Sequence, residues 1–287
     1  MVALVGEQPI PNLMSIRYYR PARVTWVFTS HTEPVVDRLQ PLVHAQQFRC
    51  RTDAFDITRI EQDLKANLPD VPSEAPWFNL TGGTKPMGYA AYNVARQMQA
   101  PIVYLQGGPA PVHYEYVFQP DGNVAMTCRE LRESVLDIDT YLRAHVGRYT
   151  RGPVRRQREA FVDAVARALE GAVDEVFPYV VLTPVLELDL VIRLGNTVAV
   201  AELKTGKKAI RKEGIDQLAT ATEPTYLGSH TRRLLITDRL PNPDLAALAQ
   251  ARGIRVLTVP DWVDGAGNGL SPQAASDLAR AVVQALA

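Results

Sequence analysis

The most constraining stretch of the chain is Leu186 to Gly206, LELDLVIRLGNTVAVAELKTG, in which two alternating apolar runs flank a Gly-Asn pair. Glycine and asparagine both tolerate the positive φ angles that a two-residue hairpin turn requires. A turn at Gly195-Asn196 places Leu194 opposite Thr197 and fixes the register of both strands, because side chains alternate between the two faces. The stretch therefore predicts an antiparallel hairpin within a β-sheet.

The predicted register sorts the hairpin side chains into two faces. The first face is apolar and is expected to face a core; its pairs are Ile192 with Ala199, Leu190 with Ala201, and Leu188 with Leu203. The second face pairs Val191 with Val200, Asp189 with Glu202, and Glu187 with Lys204. The hairpin thus brings two acidic side chains, Asp189 and Glu202, into direct opposition.

This opposition of acids is the main indication of chemistry in the sequence. Opposed Cβ atoms lie about 4.5–5.5 Å apart, so two facing carboxylates are destabilising unless a positive charge compensates them. A divalent cation does so, since Mg²⁺ prefers carboxylate oxygens and retains waters for chemistry. Lys204 projects from the same face, where it could orient a water or stabilise charge on a phosphate. The alternative is a solvated strand face on which Lys204 is a salt-bridge partner.

The first half of the chain alternates strands and helices. The predicted elements are strands at Val24–Thr29, Trp77–Thr81 and Pro101–Gln106, helices over Glu33–Gln46 and up to about Met98, a hairpin over His113–Cys128, and a helix over about Arg129–Ala144. This alternation predicts βαβ units and a parallel sheet with helices on both faces. We therefore assign the chain to the α/β class.

A domain boundary is predicted at Gly147–Pro153, which is rich in glycine and arginine and has no apolar periodicity. The predicted domains are residues 1–147 and 153–287. The second opens with a helix over Arg155–Leu169 and continues through the hairpin and a helix near Gln217. After these come a strand RLLIT, a helix over Asp244–Arg252, a strand IRVLTV and a closing helix.

A glycine-rich turn in the first half is a candidate ligand-binding loop. The run FNLTGGTKPM joins a strand to a helix and contains Thr81, Gly82, Gly83, Thr84 and Lys85. Backbone N–H groups at a helix N-terminus favour anions, and ligands of doubly wound sheets bind outside the carboxyl ends of strands. Ser30 and His31 follow another strand and are expected at the same sheet edge. The spacing matches neither the dinucleotide nor the phosphate-loop motif, so a purely structural turn with a helix cap remains an alternative.

Composition limits the class of protein. The 31 basic and 31 acidic residues balance, so nucleic-acid contact is expected to be local and regulated rather than constitutive. Two basic clusters are candidates for it, although each could equally be a solvated face; they are Arg148, Arg151, Arg155, Arg156 and Arg158, and Lys204, Lys207, Lys208, Arg211 and Lys212. Two distant cysteines, no membrane-length apolar run and no secretion signal favour a cytoplasmic location without membrane contact.

The second half resembles the PD-(D/E)xK nuclease superfamily, in which a helix precedes an Asp-bearing strand and an E-x-K strand. In that resemblance Asp189, Glu202 and Lys204 occupy the motif positions. Glu159 corresponds to an acidic helix residue that serves as an additional metal ligand, although a surface role is an alternative. Gln217 matches a glutamine expected to position the lysine or the substrate. Leu188, rather than proline, precedes Asp189.

The whole chain resembles CRISPR ancillary nucleases that join a Rossmann-like CARF sensor domain to a restriction-endonuclease-like α/β/α domain. The resemblance rests on the opening VALVGEQPIPNL, the run NLTGGTKPM and the nuclease motif. It implies a homodimer that binds a cyclic oligoadenylate, most often cyclic tetra-adenylate, and then cuts DNA, RNA or both with Mn²⁺ or Mg²⁺. Thr81 to Lys85, and also Ser30 and His31, fall on its ligand-binding loops.

Two other functions are compatible with the sequence. A non-catalytic nucleotide sensor would bind the ligand and then a partner or DNA. A ring nuclease would instead degrade its own cyclic ligand, with Lys85 or a nearby hydroxyl as the catalyst.

Overall fold

A computed structural model describes residues 1–68, 75–108, 110–152, 159–228, 230–262 and 269–287. The chain divides into two compact units, Met1–Val135 and Leu136–Ala287. This division falls earlier than the predicted boundary because the helix at Ile138–Val146 packs on strands of the second unit. Arg155, Arg156 and Arg158 of the first basic cluster lie outside the described residues, as does the predicted start of the helix at Arg155.

The first unit is built on a seven-stranded sheet. Its strands are β1 (Val2–Leu4), β2 (Arg23–Phe28), β3 (Gln46–Arg51), β4 (Phe78–Asn79), β5 (Ile102–Gln106), β6 (Val112–Phe118) and β7 (Val124–Glu130). They lie in the order β3-β2-β1-β4-β5-β6-β7. The first five strands in this order are parallel to one another. Strand β6 pairs antiparallel with β5, and β7 pairs antiparallel with β6. The order reverses between β1 and β4, which is where doubly wound sheets bind ligands.

Four helices accompany this sheet within the described residues: α1 (Ile10–Tyr19), α2 (Glu33–Leu39), α3 (Ile57–Asn67) and α4 (Lys85–Gln97). The Asp56 side chain caps α3, and Thr84 caps α4 by accepting a hydrogen bond from the amide of Met87. The core between α3, α4 and the sheet includes fully buried Phe78, Met87 and Val94.

The second unit is built on a six-stranded sheet. Its strands are β8 (Thr150–Arg151), β9 (Glu175–Thr183), β10 (Leu186–Leu194), β11 (Thr197–Lys204), β12 (Arg232–Thr237) and β13 (Ile254–Thr258). Its helices among the described residues are α5 (Ile138–Val146), α6 (Ala160–Leu169), α7 (Glu213–Ala221), α8 (Pro243–Ala251) and α9 (Pro272–Leu286). The order is β13-β12-β11-β10-β9-β8, antiparallel from β8 to β11 and parallel from β11 to β13.

Both faces of this second sheet are covered. Helices α6 and α9 enclose a core that includes Phe161, Leu190, Ile192, Ala201 and Leu203. Helix α7 packs against β11 and β12. The predicted α/β class is confirmed, and the apolar face of the hairpin is a core face.

Two predicted helices were wrong in extent. The helix predicted to reach Gln46 ends at Leu39, since Pro41 lacks the backbone donor that a continuing helix uses. The segment predicted as a helix from Arg129 is strand β7 up to Glu130, and α5 begins only at Ile138, where Asp137 caps it. Pairing with β6 here overrides the local helical pattern. Within the described residues, every helix falls short of the length and apolar character that a membrane crossing requires.

Candidate active site and nucleotide-binding loops

The hairpin register predicted from the turn is confirmed. Gly195 takes a positive φ of 60°, and the observed pairs run from Leu194 with Thr197 to Leu190 with Ala201. Asp189 and Glu202 are the next residues in that register. Both are buried, with 2% and 1% of their surface exposed. Continuing this register places the two acidic side chains in opposition, as the sequence predicted, and the structure adds that both are buried.

Each acid has a defined contact. One carboxylate oxygen of Asp189 accepts a hydrogen bond of 2.7 Å from the backbone amide of Leu203, which ties it to β11. The Glu202 carboxylate is ion-paired with the ammonium group of Lys204. Lys204 is itself largely buried, with 10% of its side chain exposed. Glu202 and Lys204 thus form a largely buried ion pair, and the Asp189 carboxylate is buried as well.

The donor chemistry of this pair fits a hard divalent cation. Mg²⁺ is commonly bound through one or two carboxylates, with waters and substrate phosphates completing its shell. Asp189 and Glu202 supply those two carboxylates. Among the described residues, no group of three or more His, Cys, Asp or Glu side chains is arranged to hold a metal ion. Glu159 therefore does not complete a three-carboxylate site in this structure.

Glu159 lies at the N-cap of α6 and lines a pocket of about 660 Å³. The same pocket is lined by Lys204, Lys207 and Lys208, which belong to the second basic cluster. Three lysines in one concave site favour an anionic ligand such as a phosphate. The structure thus places Glu159 beside Lys204, on the phosphate-attracting side of the predicted site.

Tyr179 on β9 holds the start of α6, and sequence reasoning missed it. Its hydroxyl lies 2.9 Å from the amide nitrogen of Glu159 and 3.1 Å from a carboxylate oxygen of Asp163. Burial raises the pKa of this hydroxyl to about 12. Tyr179 also has a positive φ of 55°, which costs free energy in a residue other than glycine. Only the folded backbone reveals this conformation, so no sequence signal could have found it.

Gln217 is on α7, the helix that packs against β11 and β12. It lines a second pocket, of about 550 Å³, together with Glu187. Gly214, one turn earlier, was missed as a site residue. A Cβ atom there would lie 3.6 Å from Cγ of Glu202, 3.4 Å from Cγ of Lys204 and 2.8 Å from a methyl of Leu235. A glycine inside an amphipathic helix is the signal that could have pointed to this close packing.

The Gly-Gly turn of the first unit lies at the carboxyl end of β4, against the loop that follows β1. A Cβ atom at Gly82 would lie 2.3 Å from the carbonyl oxygen of Leu4 and 2.9 Å from the amide of Gly6. Gly83 has a positive φ of 76°. Glycine is required at both positions, at Gly82 by close backbone approach and at Gly83 by conformation. Gly6 was missed, although a glycine directly after the apolar run VALV is a recognisable signal.

The hydroxyls of this turn have structural partners. Thr81 donates to the buried Asn79 at 2.6 Å and accepts from the amide of Leu105 at 2.9 Å. Thr84 donates to the carbonyl of Ala54 while it caps α4. Lys85, by contrast, is exposed in the first turn of α4. The threonines therefore shape the loop, while the glycine backbone and Lys85 are available to a ligand.

Ser30 and His31 follow β2 at the same edge of the sheet, and both are exposed. The imidazole of His31 lies 3.0 Å from a carboxylate oxygen of Glu7, a residue of the loop after β1 that sequence reasoning missed. Loops after β1, β2 and β4 thus converge at the point where the strand order reverses. This is the expected ligand crevice of a doubly wound sheet.

Comparison with known proteins agrees with this arrangement. Residues 1–127 match the family model of the Card1 CARF domain. A search of curated proteins finds no significant match.

Three solved structures share the fold over nearly the whole chain. Can2 from Sulfobacillus thermosulfidooxidans, in complex with cyclic tetra-adenylate, aligns with a TM-score of 0.76 and 15% identity over 100% of this chain and 98% of its own. Protein VC1899 from Vibrio cholerae aligns with a TM-score of 0.71 and 13% identity over 99% and 98%. A type III CRISPR defence DNA nuclease activated by cyclic oligoadenylate aligns at 0.63 and 14% over 96% of this chain and 50% of its own. The predicted α/β fold of the chain is confirmed.

Proposed function

We propose that this chain is a metal-dependent nuclease of type III CRISPR antiviral defence, switched on when its CARF domain binds a cyclic oligoadenylate. The observation that carries the proposal is the buried acid pair Asp189 and Glu202 with Lys204 beside it. Burying two carboxylates together is costly unless positive charge compensates them. Lys204 pairs with Glu202, and a divalent cation would compensate both acids. The substrate is DNA, RNA or both.

The residues of the second unit have distinct roles in this proposal. Asp189 and Glu202 would hold Mn²⁺ or Mg²⁺, and a bound ion of this kind supplies an activated water and neutralises phosphate charge. Lys204 orients the attacking water or stabilises charge on the phosphate. Lys207 and Lys208 attract the backbone of the nucleic acid into the pocket that Glu159 borders. Gln217 positions the substrate or the lysine.

The first unit would regulate the nuclease activity. Can2 and the CRISPR defence nuclease, which share the fold, are described with cyclic tetra-adenylate and cyclic oligoadenylate respectively. The glycine turn, Lys85, Ser30 and His31 form the corresponding crevice here, with backbone amides and an ammonium for phosphates. A ligand of two-fold symmetry would match two copies of this crevice, so the proposed active form is a homodimer.

The test incubates purified protein with Mn²⁺ and plasmid or single-stranded substrate, with and without cyclic tetra-adenylate. We expect cleavage only with the nucleotide, and its loss in Asp189→Ala and Glu202→Ala. Asp277→Ala, which removes an exposed carboxylate on α9, is the matched control and should cleave normally. Undiminished cleavage by both acid variants would reject the site, and nucleotide-independent cleavage would reject the switch.

The same incubation tests the ring-nuclease alternative. The hydroxyls of Thr81 and Thr84 are engaged within the fold, which argues against either as a nucleophile. We expect the cyclic nucleotide to be recovered intact by chromatography. Its linearisation in the absence of other enzymes would support degradation of the ligand.

A further inference from the structure

A second pocket is built partly from the elements of the proposed active site and has a different chemical character. Its volume is about 550 Å³, within the range of small-ligand sites. It opens beside α7 and the turn between β9 and β10. Most of the exposed lining is apolar surface, and Tyr149 is the one aromatic side chain among the described residues that line it. The apolar and aromatic members include Tyr149, Val181, Leu182 and Val185, and the polar members include Glu187 and Gln217.

Two elements that line the pocket, β10 and α7, also contribute to the proposed active site. Glu187 and Asp189 are two residues apart on β10, so their side chains project from the same face of the sheet. Gln217 follows Gly214 by three residues on α7, which places both on one side of that helix. Gly214 itself packs against Glu202 and Lys204. The β10 and α7 sides of the pocket therefore belong to elements that also build the proposed active site.

The two pockets suit two different parts of a nucleotide. The pocket of Glu159 is lined by three lysines and suits the phosphate backbone. The pocket of Gln217 offers Val181, Leu182 and Tyr149, surfaces that pack against a flat ring. The Gln217 amide adds one hydrogen-bond donor and one acceptor, as the edge of a nucleobase requires.

We infer that the pocket of Tyr149, Leu182 and Gln217 is a nucleobase subsite that takes an unpaired base of the substrate next to the cleaved phosphate. The inference rests on the proposed nuclease function. A base enters only when it is free of its partner strand, because a paired base cannot leave the stack without cost. The subsite therefore makes an unpaired base part of substrate recognition.

Val185 can be substituted to test the subsite without disturbing the fold. It lies on the turn at the pocket rim with 82% of its surface exposed, so Val185→Asp adds a charge to an apolar wall without disturbing a core. Leu240→Asp is the matched control, because Leu240 is 78% exposed in the same unit and lines neither pocket. The probe is a single-stranded oligonucleotide carrying 2-aminopurine at successive positions, titrated with full-length protein without metal.

With native protein, fluorescence should change strongly at one position of the probe, with an affinity that Val185→Asp lowers about tenfold or more and Leu240→Asp leaves unchanged. A uniform response at every position, or equal affinity of Val185→Asp and native protein, would overturn the subsite. This titration does not depend on cleavage.

A cleavage assay separates failure of the subsite from failure of the proposed function. An abasic residue at the responding position should lower cleavage by native protein. It should not lower cleavage by Val185→Asp any further, since the abasic residue and the substitution remove the same interaction. If Glu202→Ala abolishes cleavage while native protein cuts the abasic substrate normally, the proposed subsite is wrong and the nuclease assignment is retained. If Glu202→Ala cleaves normally, the nuclease assignment itself is wrong.

Discussion

The hydroxyl of Tyr179 lies 2.9 Å from the amide nitrogen of Glu159 and so caps the first turn of α6 from a neighbouring strand. Tyr179 occupies the position opposite Asp189, between the pairs of Pro178 with Leu190 and Val180 with Leu188. Tyr179, whose backbone is strained, therefore links β10, the strand of Asp189, to α6, which has Glu159 at its N-cap.

Tyr179→Phe should lower the free energy of unfolding of the second unit by about 1 kcal/mol, because it removes hydrogen bonds of the hydroxyl but keeps the ring. Denaturant titration measures this. Tyr226→Phe is the control, since Tyr226 is a half-buried tyrosine of the same unit. Equal loss in both variants would show that the Tyr179 hydroxyl does not hold the helix.

Gly214→Ala should both destabilise the second unit and reduce cleavage. The added methyl would lie 2.8 Å from a methyl of Leu235, and overpacking of this kind costs about 1–3 kcal/mol. Gly88→Ala on α4 is the matched helical control, because a Cβ atom there meets no atom within 4 Å. It should be neutral or stabilising by up to about 1 kcal/mol. Thermal melts of the two variants distinguish these outcomes.

Lys85→Ala should weaken binding of cyclic tetra-adenylate about tenfold, since it removes one ammonium from the first turn of α4. Calorimetric titration gives the affinity. The affinity of Lys85→Ala should also depend less steeply on salt concentration than that of native protein. Lys65→Ala removes an exposed lysine from the last turn of α3 and is the control. Identical affinities of native protein and Lys85→Ala would remove Lys85 from the binding crevice.

The first unit should lose stability as the pH falls from about 6.5 to about 4. His113 is fully buried, and burial lowers its pKa from 6.5 to about 4. The unfolded chain therefore takes up a proton in this window before the folded chain does, and each step down in pH favours unfolding. The total loss is on the order of 3 kcal/mol.

Replacement of His113 by Gln should flatten this part of the pH profile of unfolding free energy. Replacement of the exposed His44 by Gln should leave the profile as it is in the native protein. If the variant without His113 keeps the native slope of unfolding free energy against pH, other titratable groups cause the loss of stability.

Local sequence chemistry predicted the hairpin closely. The Gly195-Asn196 turn and strict alternation were enough to give its register. The burial of Asp189 and Glu202 was not predicted, because it depends on how distant elements such as α7 pack on that face. The contact of Glu7 with His31 was beyond such reasoning, because the loops that carry these residues meet only through the parallel order of β1 and β2. Strand β9, with Tyr179, was missed because its conformation depends on pairing with β10 and β8.

The central claim is that Asp189 and Glu202 are buried together to hold a divalent cation. Calorimetric titration of the full-length protein with Mn²⁺ tests it directly, without substrate or nucleotide. We expect native protein and Asp277→Asn to bind Mn²⁺, and the isosteric variants Asp189→Asn and Glu202→Gln to lose that binding while remaining folded. Equal Mn²⁺ affinity in native protein and both acid variants would contradict the account.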